Sequence, residues 1–189
     1  AFQYREFRVI HAQKDRFPKD LLSALCNNPE MINFVNGYLA SDGSALGGFT
    51  KEELSNDFPL LIQWDNRWGY VPYGDSNVGL SGCAPTSLSM VILALTKDEQ
   101  ATPDASAAYA EEQGYYAAGS GTKWDLMTEG SRVFGVYGSE LPLDETVILS
   151  RLEQGDPIIC SLRPGDFTTT GHFIVLIGVK DGKIQEFRV

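Results

Sequence analysis

One cysteine in this sequence stands where a loop turns into a helix, and that position favours nucleophilic chemistry. Gly82 precedes Cys83, and Pro85 suits a first helical turn, where its missing N–H would have had no intrahelical acceptor. Apolar residues then recur at helical spacing, at Leu88, Val91, Ile92 and Leu95. A helix N-terminus presents unpaired N–H groups, which favour a thiolate and can also bind the oxyanion formed when a carbonyl is attacked. The pattern predicts a nucleophilic thiol rather than the common alternative, a buried structural cysteine.

Only two histidines are available as a general base, and their sequence contexts differ. His11 has no reactive neighbour and is interpreted as incidental. His172 opens the apolar run Phe173–Gly178, and strand geometry puts it on the same face as Ile174. A lone histidine at a strand end is commonly structural, but together with Cys83 it predicts a nucleophile and base pair. The histidines and cysteines show no zinc-type spacing, so no metal and no cofactor is predicted.

Such a pair also needs a donor for the oxyanion and a group that orients the imidazole. Gln63 lies near the end of the apolar run Pro59–Trp64, and it is predicted to be either that donor or a solvent-facing side chain. Two acids lie near the histidine strand, but each has a simpler explanation. Asp181 belongs to a tight turn, and Glu186 belongs to an exposed strand face. We predict that neither acid orients His172.

The composition is that of a globular protein with a sizeable core. The chain has 189 residues, of which 43% are hydrophobic and 21% charged, and its net charge is −10. The few basic residues are scattered, which argues against nucleic acid or an anionic membrane surface as the main partner, and no membrane-inserting segment is found. Three cysteines exclude a complete disulfide framework, and Cys26 and Cys160 are predicted to pack in the core.

The predicted elements place helices first and strands last, which indicates an α+β fold. A strand or arm over Phe2–Ile10 precedes two short helices that begin near Lys19 and at Pro29. A Gly- and Ser-rich connector over Ala40–Gly48 follows. Further predicted helices are Pro103–Gln113, Thr122–Phe134 and Pro142–Gly155, and the predicted strands are Pro157–Leu162, His172–Lys180 and Lys183–Val189, with an Asp181–Gly182 turn. We divide the chain into a helical accessory segment with its linker, residues 1–50, and a main domain, residues 51–189.

Three stretches together resemble a known family: Gln63–Tyr70, Ser81–Ser87 and Gly171–Phe173. They resemble the papain-fold cysteine peptidases related to bacteriocin-processing, double-glycine leader peptidases. The similarity covers about Phe58 to Val189 and is greatest to stand-alone, peptidase-like members from Gram-positive bacteria, many of which are exported or attached at the cell envelope. The resemblance implies a papain-like fold in which a central nucleophile helix packs on an antiparallel sheet.

The resemblance also implies roles for individual residues. Cys83 matches the nucleophile, His172 the general base and acid, and Gln63 the oxyanion-hole side chain. Ala84 stands where the family usually has glycine. The family's Asp/Asn-Pro motif, which carries the third catalytic residue, would fall just after Val189, so either the given chain stops short of it or the protein lacks it. We predict an Asp or Asn following Val189.

The predicted function is therefore hydrolysis of amide bonds in a peptide or protein substrate by a cysteine peptidase. The alternatives are a catalytically silent peptide-binding module of the same fold and a transpeptidase- or transglutaminase-like acyl transferase. Several aromatic residues are predicted to lie around the nucleophile and to line a peptide groove: Trp64, Trp68, Tyr70, Tyr73, Tyr115, Tyr116 and Trp124. For Trp64 and Trp68, ordinary packing in the core is the favoured interpretation.

Overall fold

The computed structural model describes residues 2–165, 171–181 and 183–188. Helices and small antiparallel sheets make an α+β fold, as predicted. The helices are α1 (Phe2–Ala12), α2 (Lys19–Asn27), α3 (Ile32–Tyr38), α4 (Lys51–Ser55), α5 (Val78–Ser81), α6 (Cys83–Thr96), α7 (Pro103–Glu112), α8 (Asp125–Thr128) and α9 (Glu145–Glu153). The strands are β1 (Pro72–Tyr73), β2 (Ser76–Asn77), β3 (Tyr116–Ala117), β4 (Gly121–Thr122), β5 (Ile158–Leu162), β6 (His172–Lys180) and β7 (Lys183–Arg188). In the described part of the chain, no helix has the length and apolar character needed to cross a bilayer.

Residues 2–38 of the N-terminal segment are mainly helical, which corrects the strand or arm predicted over Phe2–Ile10. That stretch forms most of α1, and Ile10 is buried against the apolar cluster built by α2 and α3. A helix satisfies its own backbone hydrogen bonds, whereas a strand needs a partner. The helices predicted at Lys19 and Pro29 are confirmed, and the second begins as a 3₁₀ turn in which Asn28 accepts a hydrogen bond from the Glu30 N–H.

Phe34 of α3 joins this segment to the rest of the chain. Its ring stacks on Tyr70 with the ring centroids 4.7 Å apart, and the Tyr70 hydroxyl donates to the Phe34 carbonyl at 2.8 Å. The ring also lies where Gly69 and Gly79 leave room for it, since a Cβ at either glycine would run into the ring. The N-terminal helices therefore pack directly behind the loop that leads to α6.

An arginine fixes the short helix α4 to the segment that carries Gln63. Arg67 donates to both carboxylate oxygens of Glu53, at 2.7 and 2.8 Å, and also to Asp65 at 2.7 Å. Burial by itself would raise the pKa of both carboxyls, but the hydrogen bonds from Arg67 hold the pKa of each below its ordinary value. The ion pairs stay formed near neutral pH, so this segment is held in place.

The apolar run Pro59–Trp64 has no regular secondary structure, and only its last two residues form a turn. A side chain pairs with one of its backbone acceptors: the Trp68 indole N–H donates to the Ile62 carbonyl at 2.9 Å. Trp68 itself is fully buried in the main core, in agreement with the packing role favoured for it from the sequence.

Helix α6 lies in the middle of the main core. Every residue from Ala84 to Leu93 is buried, and the helix packs against α7 and β6. The predicted apolar stripe ends one turn early, because Leu95 in the last turn is 54% exposed. Helices α7 and α9 confirm the predictions for their segments, and Asp144 caps α9 by accepting from Thr146 and Val147.

The C-terminal sheet is antiparallel in the order β5-β6-β7, as the sequence predicted for its three strands. Val175 of β6 joins the core around α6, whereas Ile174 and Leu176 pack on the other face with Leu152 of α9. Asp181 forms the start of the predicted hairpin turn with φ of 52°, while Gly182 and Val189 lie outside the described residues. The sheet is thus covered by α6 on one face and by α9 on the other.

The long helix predicted over Thr122–Phe134 is wrong. Thr122 belongs to strand β4, and the segment then forms the short helix α8 and a 3₁₀ helix over Gly130–Phe134. The Thr122 hydroxyl is hydrogen-bonded to Tyr73 at 2.6 Å, so a tertiary contact engages the residue at which the helix was predicted to begin.

Candidate active site

Cys83 is the first residue of α6, and it follows a tight turn at Gly82. The Gly82 N–H donates to the Val78 carbonyl at 2.7 Å, and the Gly82 carbonyl accepts from Thr86 at 2.9 Å. A Cβ at Gly82 would collide with Val78, so the turn into the helix requires glycine. The cysteine side chain is left half-buried at the helix N-terminus, where the first N–H groups have no intrahelical acceptor.

The backbone N–H of Phe173 on β6 is among the groups that lower the pKa of the Cys83 thiol, so it lies near the sulfur. Burial raises the pKa of the Cys83 thiol above its ordinary value, although the N–H groups of Phe173 and Ala84 oppose that rise. The backbone N–H groups lower the pKa of the thiol, as the helix N-terminus predicted. Burial raises the pKa by more, so the thiolate is not favoured overall. The resting side chain is therefore a thiol, and a base is needed to remove its proton.

His172 is half-buried at the start of β6, one residue before Phe173. Cys83 therefore lies near the residue that follows His172 in the chain. By strand alternation His172 shares the face of Ile174, which packs toward α9.

Gln63 is buried, which rules out the solvent-facing side chain that was the alternative prediction. Its Nε2 donates to the Gly79 carbonyl at 2.9 Å, and Gly79 lies in α5, the short helix immediately before Gly82 and Cys83. Its Oε1 is buried with no hydrogen-bond partner among the described residues. An amide nitrogen has two hydrogens, so the second N–H of Gln63 is available to a further acceptor.

Tyr73 lies near Cys83, in an environment that differs from the one predicted for it. It was predicted to line a groove, but its side chain has no accessible surface. Burial, with the negative charges of a Cys83 thiolate and of Glu111 nearby, raises the pKa of Tyr73 to about 12. Its ring makes an edge contact with Tyr116, with the centroids 5.1 Å apart. Tyr73 is therefore part of the main core against which Cys83 packs.

The other predicted groove aromatics are distributed over several environments. Tyr70 is buried against Phe34, and Trp64 is half-buried against the cluster of the N-terminal helices. Tyr115 and Tyr116 are half-buried on the main core, whereas Trp124 is 63% exposed. Of the predicted set, Trp124 offers the largest exposed surface to a bound molecule.

The remaining candidates for chemistry are few. All three cysteines are free thiols; Cys160 is half-buried on β5, but Cys26 is exposed on α2, which corrects its predicted core position. Its neighbours Leu21 and Leu25 take the buried face of that helix. Over residues 2–165, 171–181 and 183–188, no group of three or more His, Cys, Asp or Glu side chains is placed to hold a metal ion.

Comparison with known proteins gives one result. A family model described as the Peptidase C39-like family matches residues 55–187, a range that contains Gln63, Cys83 and His172. No curated protein and no solved structure matches the chain. The helices α1 to α3 lie before the matched range.

Proposed function

Because this chain belongs to the Peptidase C39-like family, which suggests a cysteine peptidase, we propose that it hydrolyses amide bonds in peptides or proteins. Cys83 is the nucleophile, His172 the general base and acid, and Gln63 the side-chain donor of the oxyanion hole. One observation carries the proposal: the backbone N–H of Phe173, the residue after His172, lies close enough to the Cys83 sulfur to lower its pKa, so the N-terminus of α6 lies near the start of β6. The same family suggests a papain-like fold, consistent with α6 packing on the antiparallel sheet.

The proposed reaction begins with proton transfer, because the pKa of the Cys83 thiol is raised. His172 takes this proton as the general base. The thiolate then attacks the substrate carbonyl carbon. The resulting oxyanion accepts hydrogen bonds from the Cys83 backbone N–H and from the second N–H of Gln63 Nε2.

His172 next donates its proton to the leaving amine as the C–N bond breaks, and an acyl-thioester is left on Cys83. Water activated by His172 attacks this thioester, and the S–C bond breaks to release the carboxylic acid. An amine in place of water would give an acyl-transfer product. The chemistry needs no cofactor beyond these side chains.

A further part of the proposal concerns the group that orients His172. In the antiparallel register Ile174 pairs with Arg188, so a residue two positions beyond Arg188 stands opposite His172. Glu186 pairs with Leu176, which lies about 13 Å along the strand from His172 at about 3.3 Å per residue. We therefore propose that an Asp or Asn that follows Val189 orients the imidazole, and that neither Asp181 nor Glu186 does.

The proposal is tested by incubating the protein with a peptide library and identifying cleaved products by mass spectrometry. We expect Cys83→Ala to abolish cleavage, while Cys26→Ala and Cys160→Ala, which remove the other two thiols, leave it unchanged. Bound but uncleaved peptides would point to a silent binding module. Products that join an added amine to the peptide acyl group would point to an acyl transferase.

The orienting group has its own test. A chain extended past Val189 with its native residues is compared with the present chain for the rate of Cys83 alkylation near neutral pH. We expect the extended chain to react faster, and Asp181→Ala and Glu186→Ala to leave the rate unchanged. If either alanine variant abolished reactivity while the extension had no effect, the assignment would be wrong.

A further inference from the structure

A cavity of about 370 Å³ lies where the N-terminal helices meet the loop before Cys83. One wall comes from the N-terminal segment and includes Asp20 and Tyr38. The other comes from the β1–β2 hairpin and α5 and includes Asp75, Asn77 and Leu80. Leu80 is three residues before Cys83, so the cavity adjoins the approach to the nucleophile. Only the second wall lies in the family-matched range, so the N-terminal segment creates this cavity by adding the first.

The charged side chains that line the cavity are both acidic, one on each wall. Asp20 accepts the Leu21 N–H through Oδ1 at 2.9 Å, and Asp75 accepts the Tyr116 hydroxyl through Oδ2 at 3.4 Å. Neither carboxylate forms an ion pair with a cation in the part of the chain that the structure describes. Lys19 adjoins Asp20 in sequence but does not line the cavity. The site therefore presents two negative charges without a balancing cation.

A buried amide gives independent evidence that the cavity is built for a ligand. Asn77 is 6% exposed, and its Oδ1 accepts the Leu80 N–H at 3.0 Å, which fixes the orientation of the side chain. Its Nδ2 donates to no described residue, although Asn77 lines the cavity. Because Nδ2 is not a fully buried atom, it is accessible to an acceptor in the cavity, and a peptide carbonyl bound there would satisfy it. Tyr38 and Leu80 add apolar surface suited to the stem of a long side chain.

We propose that this cavity is a subsite for a basic residue of the peptide substrate. The ammonium of a lysine or the guanidinium of an arginine lies between Asp20 and Asp75, its methylene stem lies against Tyr38 and Leu80, and a backbone carbonyl of the same peptide accepts from Asn77 Nδ2. The inference rests on the proposed peptidase function, because it assigns a substrate preference to that active site.

The test compares two peptides that differ at one position, which carries either lysine or its uncharged analogue norleucine. The library experiment supplies the parent sequence, and the position is found by a lysine scan along it. We expect lysine to raise kcat/KM by about threefold to fivefold, because both carboxylates are exposed and an exposed charge pair contributes little. Asp20→Asn and Asp75→Asn should each remove most of this preference and leave cleavage of the norleucine peptide unchanged.

Two variants serve as controls. Asp57→Asn removes an exposed carboxylate that does not line the cavity, and it should leave both peptides unaffected. Asn77→Asp keeps the side-chain oxygen that accepts from the Leu80 N–H but removes the Nδ2 donor. It should weaken binding of the norleucine peptide, because an uncharged side chain gains nothing from the added carboxylate. Equal cleavage of both peptides by the wild-type protein, or an equal loss for both in the Asp20 and Asp75 variants, would overturn the subsite.

Binding to the Cys83→Ala protein separates this inference from the proposed function. If no peptide is cleaved but the lysine peptides bind Cys83→Ala more tightly through Asp20 and Asp75, the subsite stands and the peptidase proposal fails. If cleavage occurs without preference for lysine or arginine, the peptidase proposal stands and the subsite fails. If peptides are neither cleaved nor bound, both are wrong.

Discussion

Cys83 and Cys160 are both half-buried free thiols within the family-matched range, yet their surroundings act on a thiolate in opposite ways. Burial raises the pKa of each. Around Cys83 the backbone N–H groups of Phe173 and Ala84 oppose the rise, whereas around Cys160 the carboxylate of Glu186 adds to it. N–H groups stabilise negative charge and a carboxylate repels it. The two thiols therefore differ in the charge of the groups near the sulfur, and this difference makes Cys83 the better candidate nucleophile.

Replacement of His172, the proposed base, is expected to have the greatest effect. We expect His172→Ala to lower kcat/KM by about 10²- to 10⁴-fold. Because burial raises the pKa of Cys83, its thiolate should then form only above the ordinary thiol pKa of about 8.5. The midpoint of the iodoacetamide alkylation profile of Cys83 should therefore move to higher pH, while that of Cys160 stays in place. His11→Ala is the matched control, and identical Cys83 profiles in all three proteins would exclude His172 as the base.

The next effect separates oxyanion binding from thiol reactivity. We expect Gln63→Ala and Gln63→Glu to lower kcat by about 10²- to 10³-fold, since neither side chain supplies an amide N–H to the oxyanion. Alkylation of Cys83 should change little, because alkylation builds no oxyanion. Gln113→Ala, at an exposed position, should leave both rates unchanged. Thermal unfolding measured on each variant separates a lost donor from a lost fold. If kcat and alkylation fell together, Gln63 would hold the loop and not the oxyanion.

A smaller effect tests whether the N-terminal helices support the Cys83 region in particular. Phe34→Leu removes the stacking on Tyr70 and part of the contact with Gly79, and we expect a loss of about 1–2 kcal/mol in the free energy of unfolding. Urea denaturation measures it. Phe7→Leu changes an exposed ring on α1 and should stay within about 0.5 kcal/mol. In the folded Phe34 variant, alkylation of Cys83 should change more, relative to wild type, than alkylation of Cys160. A larger change at Cys160 would contradict this specific support.

The smallest effect concerns the other thiol. Glu186→Gln removes the charge that helps to raise the pKa of Cys160, so Cys160 should alkylate faster at a given pH. Cys83 should be unaffected, because Glu186 is not among the groups that shift its pKa. Quantitative mass spectrometry of the two labelled peptides provides the measurement. Slower labelling of Cys160 would show that the carboxylate does not act on the sulfur as the structure indicates.

Several elements were predictable because their patterns are local. The helical spacing after Cys83, the proline at the start of α7 and the apolar runs of β5 and β6 each carry a strong preference within a few residues. Where the local pattern was ambiguous, packing decided. Ile10 could be buried only by a helix lying against α3, and Thr122 was taken by its hydrogen bond to Tyr73. A hydrogen bond or a buried contact with a distant residue outweighs a weak local propensity.

The three candidate residues, Gln63, Cys83 and His172, could be named from the amino-acid sequence, because each type is chemically distinctive and its neighbours mark the element that carries it. Long-range packing was needed to bring the residue after His172 close to the Cys83 sulfur, to bury Gln63 against Gly79, and to raise the pKa of the thiol. It also decided that two distant acids, Asp20 and Asp75, line one cavity. These facts depend on residues far apart in the chain, and only the packed core brings such residues together.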